Sequence, residues 1–80
     1  MTALTSLDWN HVRTFLSVAR TGSHSASARE LGISQPTVGR HITALEEALA
    51  TVLMERVGAR WQLTGAATEL LEPAERMLAA

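Results

Sequence analysis

Arginine is the side chain in this sequence best placed for directed chemistry. There are seven arginines and no lysine. A guanidinium offers a planar fork that fits a phosphate or a guanine edge, where an ammonium acts as a point charge. Arg40 follows the small and polar run Ser34-Gln35-Pro36-Thr37, with Gly39 beside it, and Arg56 and Arg60 bracket Val57-Gly58-Ala59. Catalytic chemistry is poorly supplied. His11, His24 and His41 are 13 and 17 residues apart, without a His-x-x-x-His pair or any cysteine, so no metal site is expected. Asp8 is the sole aspartate and forms no recognisable relay with a serine and a histidine. Thr64-Gly65-Ala66-Ala67 is not a phosphate loop. The expectation is a domain that is no enzyme and holds no cofactor, and that recognises a partner through placed donors.

The net charge of −1 does not favour an anionic partner by itself. Residues 1–45 carry four arginines against two carboxylates, and residues 46–80 carry three against six. A protein that bound by bulk charge would carry more of it, so any nucleic-acid binding must rest on placement. Eighty residues make one small core that buries roughly 60–65% of the unfolded chain's surface. The lack of cysteine excludes a disulfide scaffold and fits a reducing compartment. No apolar run approaches the ~20 residues of a membrane helix, and Met1 to Ser6 lack a signal-peptide pattern, so a soluble cytoplasmic module without membrane contact is expected.

The elements that must position the arginines can be read in order. Trp9, Val12, Phe15, Leu16 and Ala19 fall at helical spacing behind Asp8, and Gly22 stops that helix. Ser23 caps a short Ala- and Ser-rich helix from His24 to Leu31, ended by Gly32. Ser34 caps a third helix, whose first turn tolerates Pro36 because its missing N–H would be unpaired there anyway. In that helix Val38, Ile42, Leu45 and Leu49 form one stripe, while Pro36, Thr37, Arg40, Thr43 and Ala44 point to the other side. Two β-capable runs, 52–56 and 60–63, flank the glycine turn and read as a hairpin. Thr64 caps a last helix with Ala67, Leu70, Leu71, Ala74 and Leu78 on one side, and Pro73 is expected to bend it. With no cap or turn residue after Leu78, the chain is expected to continue in its parent protein.

Helix, short helix, glycine turn and a third helix with a polar leading face is the layout of a helix-turn-helix, and a hairpin makes it winged. The fold expected is therefore mainly α. The third helix, held by its apolar stripe, can enter a major groove while its first amides approach phosphates. The pattern alone leaves a second reading open, a small helical module whose polar helix meets another protein. Low-salt retention on DNA or heparin would separate the two.

At these same residues the sequence resembles the amino-terminal domain of LysR-type transcriptional regulators. The likeness rests on Phe15-Leu16-Ser17-Val18-Ala19, Gly22-Ser23, Ala28-x-x-Leu31, Ile33-Ser34-Gln35-Pro36, Ile42-x-x-Leu45-Glu46-x-x-Leu49, Leu53-x-x-Arg56 and Leu63-Thr64. It covers roughly residues 7–78, and Ser34-Gln35-Pro36 with Arg40, Ile42 and Leu45-Glu46 at fixed spacing is its most specific part. The resemblance implies a winged helix-turn-helix over 1–64 and the start of a linker and dimerisation helix over 65–80, the effector domain lying outside the chain. It implies sequence-specific binding of double-stranded DNA, with helix 35–49 in the major groove and wing 53–63 on the backbone or minor groove. Ser34, Gln35, Pro36, Thr37, Gly39, Arg40, Arg56 and Arg60 would then be the DNA-binding residues. Ala67, Leu70, Leu71, Ala74 and Leu78 would form a homodimer seam matched to an inverted-repeat operator, with a higher oligomer open for the full-length protein. Glu46 and His41 read as structural. The sequence departs from the family pattern at Gly39 (usually serine), at His24 and Met54 (usually aromatic), and at Ala50 (usually glycine). Gly65-Ala66-Ala67 also departs from the usual Thr-x-x-Gly.

Overall fold

The computed structural model describes residues 7–79, and there every helix begins or ends on a residue suited to it. Asp8 Oδ1 accepts from Asn10 N–H (2.8 Å) at the start of α1, Trp9–Thr21. Ser23 Oγ accepts from Ala26 N–H (3.0 Å) at the start of α2, His24–Leu31. Ser34 Oγ accepts from Thr37 N–H (3.2 Å) at the start of α3, Gln35–Leu49. These caps satisfy amides that have no partner within the helix. Gly22 and Gly32 end α1 and α2 at φ 69° and 70°, a backbone setting that costs glycine nothing. Ala50 ends α3 at φ 52°, where a Cβ is disfavoured. The departure from glycine at this position is accommodated at the expense of local strain.

The wing follows as β1, Met54–Val57, and β2, Arg60–Leu63, paired antiparallel with Met54 opposite Leu63 and Val57 opposite Arg60. Val57 therefore belongs to a strand, and the turn is only Gly58-Ala59. Glu46 Oε2 accepts from the N–H groups of Leu53 (2.8 Å) and Met54 (3.2 Å), which ties the root of the wing to α3. Thr64 Oγ1 donates to Val52 O (2.7 Å) and accepts from Ala67 N–H (3.2 Å), so one side chain closes the wing and opens α4, Gly65–Ala79. That last helix runs unbroken through Pro73.

Val12, Phe15 and Val18 of α1, Val38, Ile42 and Leu45 of α3, and Leu53 and Met54 of the wing form the buried centre. Trp9, expected in the α1 stripe, is 45% exposed at the first residue of the helix. Leu16 and Ala19 pack only partly, and Val18 takes the central place. The stripe of α3 is buried as its spacing requires, with Leu49 half-buried at its end. Fully burying such side chains stabilises by about 1.5–3 kcal/mol each, which is what holds α3 from behind.

Candidate nucleic-acid interface

The front of α3 is uncovered. Ser34, Gln35, Pro36 and Arg40 are exposed, Thr37 and Gly39 are half-buried, and a Cβ placed on Gly39 would meet nothing within 4 Å. The Ser34 and Thr37 hydroxyls lie 2.8 Å apart, and Arg40 Nη2 donates to Thr37 Oγ1 at 2.8 Å. This relay lays Arg40 back along its own helix, three residues toward the N-terminus. An exposed hydrogen bond of this kind contributes only about 1 kcal/mol, so the guanidinium can exchange it for a base edge or a phosphate.

The wing brings a second charge to the same side. Arg56 and Gln35 line one polar cleft of about 190 Å³ together with Ser23, Ser25 and Trp61. The Arg56 guanidinium carbon stands 5.4 Å from the Trp61 ring centroid, and Arg56 Nε donates weakly to Gly58 O (3.4 Å). Arg60 is exposed on β2, but its Nη2 lies 3.7 Å from where a Cβ on Gly22 would stand. It leans back toward the turn between α1 and α2, away from the wing tip. Trp61, which carries both the wing arginine and the contact described next, is a residue that pattern reading left unassigned. Its place opposite Arg56 in the hairpin register was the available signal.

His24 stacks on Trp61, with ring centroids 4.6 Å apart at 34°. Its Nδ1 is buried without a hydrogen-bond partner among the described residues, and burial together with the nearby Arg56 charge holds the ring's pKa below its ordinary value. His24, Gly39 and Met54, three of the departures from the family pattern, line a single cavity of about 240 Å³ with Ile42 and Trp61. The smaller side chains leave space, and Trp61 takes up part of it. On the opposite side, His41 is half-buried with Nδ1 2.8 Å from Thr14 Oγ1.

Between α1 and α2 the contact is polar. Ser17 Oγ lies 2.9 Å from Ser27 Oγ and 2.7 Å from Glu30 Oε2, Thr21 Oγ1 lies 3.0 Å from Ser27 Oγ, and Arg20 pairs with Glu30. Ser17 and Ser27 are buried at 5% and 0% exposure, so this network sets the angle of the short helix that precedes α3.

The stripe on α4 requires a correction. Ala67 and Ala74 are 0% and 1% exposed within the single chain and so cannot lie on an open seam. They are small enough for α4 to lie close against α1. Leu70, Leu71 and Leu78 pack partly against the same core. Leu71 and Leu78 also border an apolar groove of about 460 Å³ with Leu16 and Ala19. The uncovered part of the stripe is thus these three leucines.

Residues 9–68 match the family model described as bacterial regulatory helix-turn-helix protein, lysR family. The chain is 44% identical over 72 residues to the HTH-type transcriptional regulator ClcR of Pseudomonas putida and, over the same length, to TfdS of Cupriavidus pinatubonensis. In each case the match covers 90% of this chain and 24% of the relative, so the chain spans about a quarter of the length of these curated relatives. Among solved structures, the CbnR DNA-binding domain in complex with DNA superposes with a TM-score of 0.87 at 37% identity, covering 91% of this chain and 84% of that one. The BenM DNA-binding domain on its benA site 1 DNA superposes with 0.85 at 30% identity, covering 91% and 82%.

Proposed function

The chain belongs to the LysR family of bacterial helix-turn-helix regulators, and from that premise we propose that it is the part of such a regulator that binds double-stranded DNA sequence-specifically. The carrying observation is the asymmetry of α3. Val38, Ile42 and Leu45 are buried at its back, while Ser34, Gln35, Pro36 and Arg40 stand uncovered at its front. A helix held this way fits a major groove about 12 Å wide. Solved complexes of the CbnR and BenM DNA-binding domains with DNA support the reading.

In this reading Gln35 pairs with an adenine edge, Arg40 with a guanine edge, and Pro36 and Thr37 touch a thymine methyl. Ser34 serves as cap and phosphate donor, and Gly39 lets the backbone come close. Arg56 and Arg60 reach flanking phosphates, Arg60 after swinging out from Gly22. Residues 1–64 form the DNA-binding unit and 65–80 begin the helix through which two copies pair, using Leu70, Leu71 and Leu78. The parent protein works in the cytoplasm, and this domain needs no cofactor and catalyses nothing. Among the described residues no helix is long and apolar enough to cross a membrane.

Selecting binding sites from a random DNA pool tests this proposal. Enrichment of an inverted repeat, with half-sites about 34 Å apart or a multiple of that distance, is the expected outcome. A pool that converges on no sequence contradicts it.

A further inference from the structure

Beside α1, the recognition helix carries a feature that the winged helix-turn-helix plan does not use. His11 of α1 and His41 of α3 face each other with ring centroids 4.8 Å apart at 41°. Thr14 Oγ1 donates to Asn10 O (2.9 Å) and lies 2.8 Å from His41 Nδ1. With the threonine proton engaged by the carbonyl, His41 donates from Nδ1, and its Nε2 is left as the nitrogen that can take up a proton. His11 Nε2 lies 3.8 Å from Asp8 Oδ2. Together the two rings border a groove of about 700 Å³ whose other side is Pro36, Gly39, Arg40 and Thr43, the outward face of α3.

We propose that the His11–His41 pair is a proton-dependent contact to the DNA backbone, donating a hydrogen bond to one phosphate oxygen on the flank of α3 that borders α1. The inference rests on the DNA-binding reading above and adds an anchor outside the residues assigned there. A helix lying in the major groove has a phosphate strand on either flank. The wing serves one flank, and this groove opens on the other.

The charged groups facing the pair are Asp8 at the cap of α1, Arg13 of α1, and Arg40 and Glu47 of α3. In the free protein, burial first and His11 second hold the His41 pKa down; Asp8 pulls it up, and Arg40 adds a lesser downward effect. A phosphate at the mouth of the groove reverses the balance. The pKa of His41 is then higher on DNA than off it, so binding strengthens as pH falls below the ordinary imidazole range and loses this contribution above it.

The contact is to backbone, so a labelled mixed-sequence duplex is a sufficient probe. Its affinity is measured across a salt series at about pH 7.5 and about pH 5.5, for the wild type and for His11→Gln, His41→Gln and His24→Gln. The wild type should bind about tenfold tighter at the lower pH, with log K falling more steeply with log salt by about 0.9 per added phosphate contact. Both gains should vanish in His11→Gln and His41→Gln and persist in His24→Gln, which lies by the wing. A wild type that binds equally at both pH values, or an acid gain that survives in His11→Gln and His41→Gln, overturns the proposal while leaving DNA binding intact. No binding at either pH and low salt would remove the DNA reading, and this contact with it.

Discussion

His24, on the wing side of α3, and His41, on its α1 side, are both half-buried and both stacked on a neighbouring ring, but among the described residues only His41 finds a hydrogen-bond partner. Thr14 holds His41 in one orientation, whereas His24 Nδ1 faces no donor or acceptor and borders a cavity of about 240 Å³. The α1 flank is thus a satisfied polar contact and the wing flank a loosely filled apolar one. The wing is fastened at its root, by burial of Leu53 and Met54 and by the hydrogen bonds of Glu46 and Thr64, which leaves its outer end, with Arg56, room to adjust to a ligand.

The two flanks share one support, and removing it should break both at once. Leu45, 1% exposed, lies in the core at the back of α3. Leu45→Ala should lower the unfolding free energy by about 2–5 kcal/mol, through lost burial and the cavity left behind. Urea unfolding followed by both tryptophan fluorescence and far-ultraviolet circular dichroism should show a single early transition. A loss under ~1 kcal/mol, or fluorescence and circular dichroism transitions that do not coincide, would mean that the flanks are held separately.

A smaller change should make the flanks more alike. His24→Phe removes the orphaned nitrogen and fills part of the cavity, and it should raise stability by about 1–2 kcal/mol. It should also blunt the response to acid. The His24 pKa is lowered in the folded protein, so the unfolded chain binds the proton more readily. Its contribution to stability is therefore complete above about pH 6.5 and is lost as pH falls through that value toward the folded pKa. His41 has the same sign and remains in the variant. Thermal melts from about pH 7.5 to about pH 5 should show a shallower decline in His24→Phe than in the wild type, and parallel declines would contradict the assignment.

Features written locally in the chain were legible in the sequence. Asp8, Ser23 and Ser34 cap helices, and Gly22 and Gly32 end them, through bonds to residues a few positions away. The hairpin was legible to within a residue of its turn, and the apolar stripe of α3 followed from spacing alone. Contacts between distant segments were hidden. A serine at position 17 shows nothing of Ser27 or Glu30 on another helix, and Thr14 meets His41 across 27 residues. The stripe on α4 announced an apolar face without saying what covers it, and the chain's own core covers Ala67 and Ala74. At the candidate interface, the position of the leading residues of α3 was legible because a cap and a proline fix them within one turn. The backward lean of Arg60 was not, because it depends on where α1 ends.

The central claim, that the uncovered face of α3 reads bases, is tested most directly by Arg40→Ala on a selected operator and on mixed-sequence DNA measured side by side. Arg40 is exposed and its one hydrogen bond is to Thr37 on the same helix, so the thermal melt should not change. Operator affinity should fall by about 1–3 kcal/mol while affinity for mixed-sequence DNA stays nearly constant. Equal losses on both duplexes would place Arg40 on the phosphate backbone and contradict base reading by this face.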